Sequence, residues 1–248
     1  MTTTVQRLYG DDSGFPSSRP IISVPDITTG LLLHYSADSL GAVGSSVSAW
    51  ASTEGSLGAA ADLTGGSSSK PVVVAGPNGH KAVRFDAASS QYLRSALFGT
   101  PLGLPLTQVV VMRPTATSTA AVISGHFSSS SSFIGIRRIS SGYDAGAGAT
   151  GELVNGSSSD TSSFHVVTAR HGSNALLRVD TVESAGATGQ ASPTLATLPR
   201  VTIGANSAAN GQFLSGDIVD VRMYARALTN ADIASLHATL GAVYGLAA

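Results

Sequence analysis

Paired carboxylates are the first candidates for chemistry, because glycoside hydrolysis requires two of them roughly 5–10 Å apart. The chain contains only three glutamates, Glu54, Glu152 and Glu183, and none has a second carboxylate two residues away. Asp217 and Asp220 are three positions apart in one predicted strand, where side-chain alternation places them on opposite faces. The sequence therefore predicts that the protein is not an enzyme of this kind.

Motifs for nucleophilic catalysis and for nucleotide binding lack the context that they need. No Gly-x-Ser-x-Gly elbow occurs, and the absence of cysteine removes thiolate nucleophiles and thiolate metal sites. Residues 146–151 fit G-x-G-x-x-G, but no strand precedes them and no helix follows, so we interpret them as a flexible loop. His165 and His171 flank a predicted strand, and we expect them to be hydrogen-bonded or solvent-facing. No catalytic residue is predicted.

Composition narrows the classes of partner. The formal net charge of −1 argues against a nucleic-acid-binding face, and charged residues make up 12% of the chain, where a soluble domain has about 25%. Ser, Ala, Gly and Thr supply about half of the residues, and arginine outnumbers lysine, which is typical of a high-GC genome. The apolar runs are too short to span a bilayer and no signal sequence is visible, so we expect a soluble protein.

Short segments rich in β-branched and aromatic residues recur from Leu31 onwards, separated by Gly, Ser, Asn and Pro clusters. We predict strands at Leu31–Tyr35, Lys81–Phe85, Gln91–Arg94, Gln108–Pro114, Ala121–Phe127, Phe133–Ile139, Phe164–Arg170, Leu176–Thr181, Arg200–Ala205 and Gly216–Tyr224. Asn78-Gly79, Asn155-Gly156 and Asn210-Gly211 predict turns, and the five serines Ser128–Ser132 predict a hairpin tip. This pattern favours an antiparallel sandwich.

One helix is predicted near the end of the chain. Thr229 and Asp232 have the spacing of a capping box at its start. The apolar residues that follow at helical spacing are Ile233, Leu236, Leu240 and Val243. We expect this stripe to lie on the sandwich and Gly241 to weaken or end the helix.

Residues 1–28 differ from the remainder, which we treat as one domain, 29–248. Three prolines between positions 16 and 25 favour extended chain. We predict an extended arm that docks on a partner through its apolar side chains, the alternative being a disordered leader. The docking residues would be Leu8, Tyr9, Phe15, Ile21 and Ile22.

The C-terminal block carries a family resemblance. Val201–Gly204, Phe213–Tyr224, Ala225–Thr229 and the helix, preceded by Leu32–Asp38 and Ala82–Asp86, resemble the LamG-like, concanavalin A-like jelly-roll domains. The resemblance extends from about Leu31 to Gly245. It implies an all-β, antiparallel jelly-roll sandwich with one C-terminal helix, to which the extended arm is added.

The resemblance also bears on ligands. Many concanavalin A-like domains bind calcium through hard oxygen atoms. No cofactor is predicted, but calcium stays open, with Asp38, Asp62, Asp144 and Asp160 as the available carboxylates.

Glycan binding would need an exposed aromatic ring and a few polar partners. Trp50 matches a family position that we expect to be partly buried. The stretch from 126 to 160 is the least family-like, so we predict any glycan surface there, at His126, Arg138, Tyr143 and Asp144.

These features together suggest a non-enzymatic structural protein of a tailed bacteriophage virion, either a capsid decoration protein or a minor tail protein. The jelly roll would face outward, and the arm would bind other capsid or tail proteins, with several copies in the assembly. Localisation would then be the virion, assembled in the host cytoplasm, with neither nucleic acid nor membrane as a partner. The alternative is a receptor-binding module that recognises host cell-wall glycan.

Overall fold

The computed structural model describes residues 27–129, 132–148, 153–172, 174–185 and 197–247. The five predicted docking residues of the arm, Leu8, Tyr9, Phe15, Ile21 and Ile22, lie outside the described residues. Ile27 already packs against the sandwich, so the folded domain includes it. No helix in the described part of the chain is long and apolar enough to cross a membrane.

Eighteen strands, one α-helix and four short 3-10 helices make up the described structure. In chain order the strands and the α-helix are β1 Leu31–Ser36, β2 Ala49–Trp50, β3 Leu63–Gly65, β4 Val72–Ala75, β5 Lys81–Phe85, β6 Leu93–Ser95, β7 Leu102–Gly103, β8 Leu106–Pro114, β9 Ala120–Ser129, β10 Ser132–Ile139, β11 Gly142–Gly148, β12 Leu153–Ser157, β13 His165–His171, β14 Leu176–Val179, β15 Val182–Ala185, β16 Thr197–Leu198, β17 Thr202–Ile203, β18 Gly216–Tyr224 and α1 Asn230–Tyr244. The predicted antiparallel sandwich with one C-terminal helix is confirmed.

Two eight-stranded antiparallel sheets form the sandwich. Sheet A has the order β15-β14-β13-β8-β18-β5-β4, with β1 also paired to β18. Sheet B has the order β12-β11-β10-β9-β17-β6-β3-β2, and β7 pairs with β16 in a small separate ribbon. Strand β18 pairs with β8 on one side and with both β5 and β1 on the other. This long C-terminal strand therefore holds together segments from both ends of the domain.

The core has two parts, on the two faces of sheet A. Large side chains such as Tyr35, Trp50 and Phe85 fill the space between the sheets. On the outer face of sheet A, Val109, Val111 and Val219 pack against α1. Because sheet A is covered on both faces, its central strands β8 and β18 are buried at almost every position.

The helix begins as predicted and ends later than predicted. The Thr229 hydroxyl accepts a hydrogen bond from the Asp232 amide, and the Asp232 carboxylate accepts one from the Thr229 amide. Of the two alternatives expected at Gly241, the helix end is wrong, because the helix continues to Tyr244 and the left-handed residue is Gly245, with φ +65°. Tyr244 rather than Val243 completes the buried stripe, and Val243 is 43% exposed.

Two predicted loops are strands in the structure. Gly146 and Gly148 lie in β11, which pairs with β10 and β12, so the flexible-loop prediction for 146–151 is wrong as far as residue 148. Asn155-Gly156 lies inside β12 rather than at a turn. Gly146 has a packing reason, since a Cβ there would come within 2.5–2.7 Å of the Phe133 ring. Strands β9 and β10, on either side of the predicted serine hairpin tip, pair as antiparallel neighbours, while residues 130 and 131 lie outside the described residues.

Candidate functional site

The glycan surface predicted at Arg138, Tyr143 and Asp144 is not a surface. All three residues are at most 1% exposed. Alternation along β10 and β11 turns Arg138 and Tyr143 toward the sandwich interior, beside Ile136 and Ala145. His126 lies in β9 opposite Ile134 of β10, and its side chain is outside what the structure describes.

Arg138 has a structural partner set. Its guanidinium donates to the carbonyls of Ile139, Gly142, Ser158 and Ser159 and lies 5.3 Å from the Tyr143 ring centroid. These contacts replace the water lost when the charge is buried. Asp144, on the other face of β11, accepts two hydrogen bonds from Arg137 at 2.9 and 2.7 Å. The prediction failed because these polar residues stabilise the strands instead of facing solvent.

The aspartates considered for calcium have separate partners. Asp38 accepts hydrogen bonds from His80 Nδ1 at 2.6 Å and from the Lys81 amide at 2.8 Å. Asp62 caps the Ser52 amide, and Asp160 accepts from Ser162. Within the described residues, no three His, Cys, Asp or Glu side chains come together in a way that could hold a metal ion. These carboxylates therefore do not fit a calcium site.

A bulge in β18 brings Asp217 and Asp220 to the same face, which corrects the expectation from alternation. The register with β8 shifts between Ile218 and Asp220, so Val219 adds one residue to the strand. Asp217 is fully buried and binds Arg84 at 2.7 Å and Arg113 at 2.5 Å. Both carboxylates lie on the outer face of sheet A and are neutralised by arginine.

Asp220 is the centre of a second ion-pair cluster, beneath the C-terminal end of α1. It accepts hydrogen bonds from His34 Nε2 at 2.8 Å, Tyr244 Oη at 3.0 Å and Arg222 Nε at 2.9 Å. Burial alone would raise the pKa of Asp220, but Arg222 and His34 outweigh burial and lower that pKa to about 2. The carboxylate therefore stays ionised and attaches the helix to β1 and β18.

Thr53, His34 and Asp220 occur in the order hydroxyl, imidazole, carboxylate, as in a catalytic triad. The distance from Thr53 Oγ1 to His34 Nδ1 is 3.4 Å, which is long for a hydrogen bond to a general base. The same hydroxyl lies 3.1 Å from the backbone carbonyl of His34. This geometry supports a structural role, since the hydroxyl proton is already shared with a carbonyl.

The outer face of sheet B carries a different arrangement, which we call the aromatic–arginine patch: Tyr92, Arg94, Arg200 and Phe213. Leu93 of β6 faces the core, so its neighbours Tyr92 and Arg94 face outward. The Tyr92 and Phe213 ring centroids are 6.5 Å apart, with 30° between the planes. The Arg94 guanidinium lies 5.6 Å from the Tyr92 ring centroid. All four side chains are partly exposed.

Three separate segments build this patch. Arg94 of β6 lies opposite Thr202 of β17, and the Ser95 amide donates a hydrogen bond to the Val201 carbonyl. This register places Arg200 diagonally beside Arg94. Phe213 comes from the connection between β17 and β18. A Cβ at Gly66 would overlap the Tyr92 hydroxyl and ring, so this glycine leaves the space that the Tyr92 side chain occupies. From the sequence, Tyr92 was expected only as part of a strand and Phe213 only as part of the family block, so the patch was missed.

Trp50, the other aromatic residue considered for stacking, is not available to a ligand. It is fully buried rather than partly buried, and its indole N–H donates to the Ser36 carbonyl at 3.0 Å. Tyr35 packs beside it at 5.7 Å between ring centroids. Another partly exposed ring, Phe164, lies under the guanidinium of Arg113 at 4.8 Å, on the opposite sheet.

Comparison with solved structures finds the same fold in sugar-related proteins. Domain 4 of AbnA, an extracellular arabinanase from Geobacillus stearothermophilus solved with arabinotriose, matches with a TM-score of 0.61 at 16% identity over 85% of this chain and 99% of that chain. Trypanosoma rangeli sialidase in complex with sialic acid matches with a TM-score of 0.54 at 14% identity over 85% of this chain. Botulinum neurotoxin type C, whose cell entry depends on two ganglioside molecules, matches with a TM-score of 0.60 at 11% identity, again over 85%.

The extent of these matches limits what they mean. This chain spans 33% of the sialidase and 51% of the toxin chain, and at such low identities the likeness concerns the fold alone. No curated protein sequence matches this chain. The family model of the concanavalin A-like lectins and glucanases matches residues 101–234, which is more than half of the chain. The protein therefore belongs to the concanavalin A-like lectin/glucanase superfamily.

Proposed function

We propose that this protein is a non-enzymatic carbohydrate-binding module and that the aromatic–arginine patch is its glycan-binding surface. The observation that carries the proposal is the pair of neighbouring, partly exposed rings of Tyr92 and Phe213 on the outer side of sheet B. Sugar rings present apolar C–H faces that stack on aromatic rings, while flanking polar groups fix their orientation. Arg94 and Arg200 supply such groups.

The buried carboxylates favour binding over catalysis. A retaining or inverting glycosidase needs one carboxyl group that donates a proton and a second that attacks or activates water. Asp217 and Asp220 are each at most 1% exposed and paired with arginine. An ion pair of this kind keeps the carboxylate bound to arginine and out of reach of a substrate.

The test is a binding titration against wall polysaccharides and defined oligosaccharides with the full chain. Tyr92→Ala and Phe213→Ala should each weaken glycan affinity by about tenfold, the usual scale for loss of one stacking ring. The matched control is Phe164→Ala, because Phe164 is also a partly exposed ring beside an arginine but lies on sheet A. Equal binding by wild type and both patch variants would contradict the proposal, as would an equal loss in the control.

A virion role is a second candidate, which rests on the proline-rich segment before the first strand. The proposal is that residues 1–26 attach the jelly roll to other capsid or tail proteins, so that the patch faces the host surface. Extended segments bind in this way when they add their backbone to the sheet edge of a neighbour. Deletion of residues 1–26 should abolish incorporation into particles while glycan binding persists. Normal incorporation of the truncated chain would contradict this role.

A further inference from the structure

The two arginines of the aromatic–arginine patch differ from the other described arginines in their hydrogen-bond partners. Arg84, Arg113, Arg137, Arg222 and Arg226 each pair with an aspartate. Arg138, Arg170 and Arg178 donate to backbone carbonyls. Among the described arginines, only Arg94 and Arg200 have neither an aspartate partner nor a backbone carbonyl at normal hydrogen-bond distance. The single hydrogen bond of Arg94, to the Ala208 carbonyl, is 3.5 Å long.

These two guanidiniums are neighbours on one face. Arg94 lies opposite Thr202, two residues from Arg200, so the side chains occupy a diagonal pair of positions on adjacent strands. Burial, and then the charge of Arg94, lower the pKa of Arg200. Two like charges without an acidic partner repel each other, and this cost remains in the folded protein. An anion between them would remove it.

Unpartnered hydroxyls lie beside the same arginines. Thr202 is fully buried and Ser124 is 2% exposed, and the two residues face each other across β17 and β9. Neither Thr202 Oγ1 nor Ser124 Oγ has a hydrogen-bond partner in the described structure. Buried hydroxyls normally have one, so each of these exceptions requires an explanation. Both hydroxyls therefore have an unused donor on the face of sheet B that carries Arg94 and Arg200.

We infer that the glycan bound at the patch is anionic, a saccharide that bears a carboxylate or phosphate group, held by Arg94 and Arg200 while its ring stacks on Tyr92 and Phe213. This inference rests on the proposed glycan binding at the same surface. Guanidinium groups bind carboxylate and phosphate oxygens through two parallel N–H···O hydrogen bonds, which a neutral sugar cannot offer with the same strength. The cation–π contact with Tyr92 holds Arg94 beside the stacking platform.

The experiment compares charged and neutral probes of matched size on the full chain. Trigalacturonate is compared with galactotriose, and glucose 6-phosphate with glucose, so that carboxylate and phosphate are separate arms. For at least one pair, the anionic member should bind wild type about tenfold more tightly, and added salt should reduce the difference. Arg94→Gln and Arg200→Gln should each remove most of this preference, because each weakens binding of the anionic member far more than binding of its neutral counterpart.

The control and the outcomes separate the inference from the proposed function. Arg84→Gln is the matched control, since Arg84 is half exposed on sheet A and Arg113 still neutralises Asp217. If wild type binds neutral and anionic members equally, or if the arginine variants keep the preference, the inference is wrong and the glycan-binding proposal stands. If no probe of either class binds wild type, both are overturned. Thermal unfolding of each variant shows whether a loss of binding is a loss of fold.

Discussion

Mild acid should destabilise this protein through two histidines that fold in their neutral form, His171 and His237. His171 is 1% exposed between the sheets, with Nε2 3.1 Å from Gln108 Oε1. His237 of α1 is fully buried; its Nδ1–H donates to the Asp180 carbonyl at 2.9 Å, and its Nε2 accepts from the Thr168 hydroxyl at 2.8 Å. Burial lowers the pKa of each imidazole to about 4.

The magnitude follows from proton linkage. A histidine in the unfolded chain has a pKa of about 6.5, so between pH 6.5 and 4 the unfolded state binds a proton that the folded state does not. The free energy of unfolding therefore falls with decreasing pH by about 1.4 kcal/mol per pH unit for each histidine, and by about 3 kcal/mol each over the whole interval. Below pH 4 both states are protonated and this contribution is lost completely. Together the two groups equal a large share of a typical domain's 5–15 kcal/mol.

The assay is urea denaturation at pH 7.5, 6.5, 5.5 and 4.5, followed by the fluorescence of Trp50. This residue is the only tryptophan and is fully buried, so its emission reports global unfolding. His237→Gln and His171→Gln should each remove about half of the dependence on pH, whatever their effect at pH 7.5. His80→Gln is the control, because the His80 side chain is 28% exposed and its loss removes no buried imidazole. A wild-type stability that is constant from pH 6.5 to 4.5, at constant m-value, would refute the argument.

Three further predictions concern the contacts that hold the sandwich together. Asp217→Asn should lower the free energy of unfolding by about 2–3 kcal/mol in urea titrations, because Arg84 and Arg113 lose their buried counter-charge. The loss is not larger because both arginines are partly exposed. No change would mean that these ion pairs are dispensable. Gly146→Ala should lower the free energy of unfolding by about 1–3 kcal/mol, because the new methyl group would overlap the Phe133 ring. An unchanged melting temperature would show that this ring moves freely. Thr229→Ala should cost about 1 kcal/mol through the lost helix cap, with Thr229→Ser restoring most of it.

Local patterns in the sequence determined much of the fold. Strand β5 was predicted with its observed bounds, Lys81–Phe85, and β18 likewise at Gly216–Tyr224. Both segments have the length of a strand and either alternate apolar with polar residues or are rich in β-branched residues. Little tertiary information is therefore needed to find them. The helix start was predictable for the same reason, because the Thr229–Asp232 capping box joins residues only three positions apart. The family resemblance of the C-terminal block, confirmed by the family model, rests on the same segments.

Tertiary structure alone decided the positions of the polar residues. The pairing of β10, β11 and β12 overrides the turn preference of Asn155-Gly156 and buries Arg138 in the process. The bulge at Val219, which places Asp217 and Asp220 on one face, depends on the register with β8, far away in the chain. Such registers are set by packing and hydrogen bonds between distant segments.

The candidate site, too, depends on contacts between distant segments of the chain. Tyr92, Arg94, Arg200 and Phe213 come from three segments of the chain, and none of them belongs to a motif that the sequence alone would mark as a ligand site. What the sequence by itself determined about this protein is its strand and helix periodicity, its helix cap and its family. The grouping of two rings and two unpaired charges on one face was decided by strand order, because only the pairing of β6 with β17 brings residues 94 and 200 together.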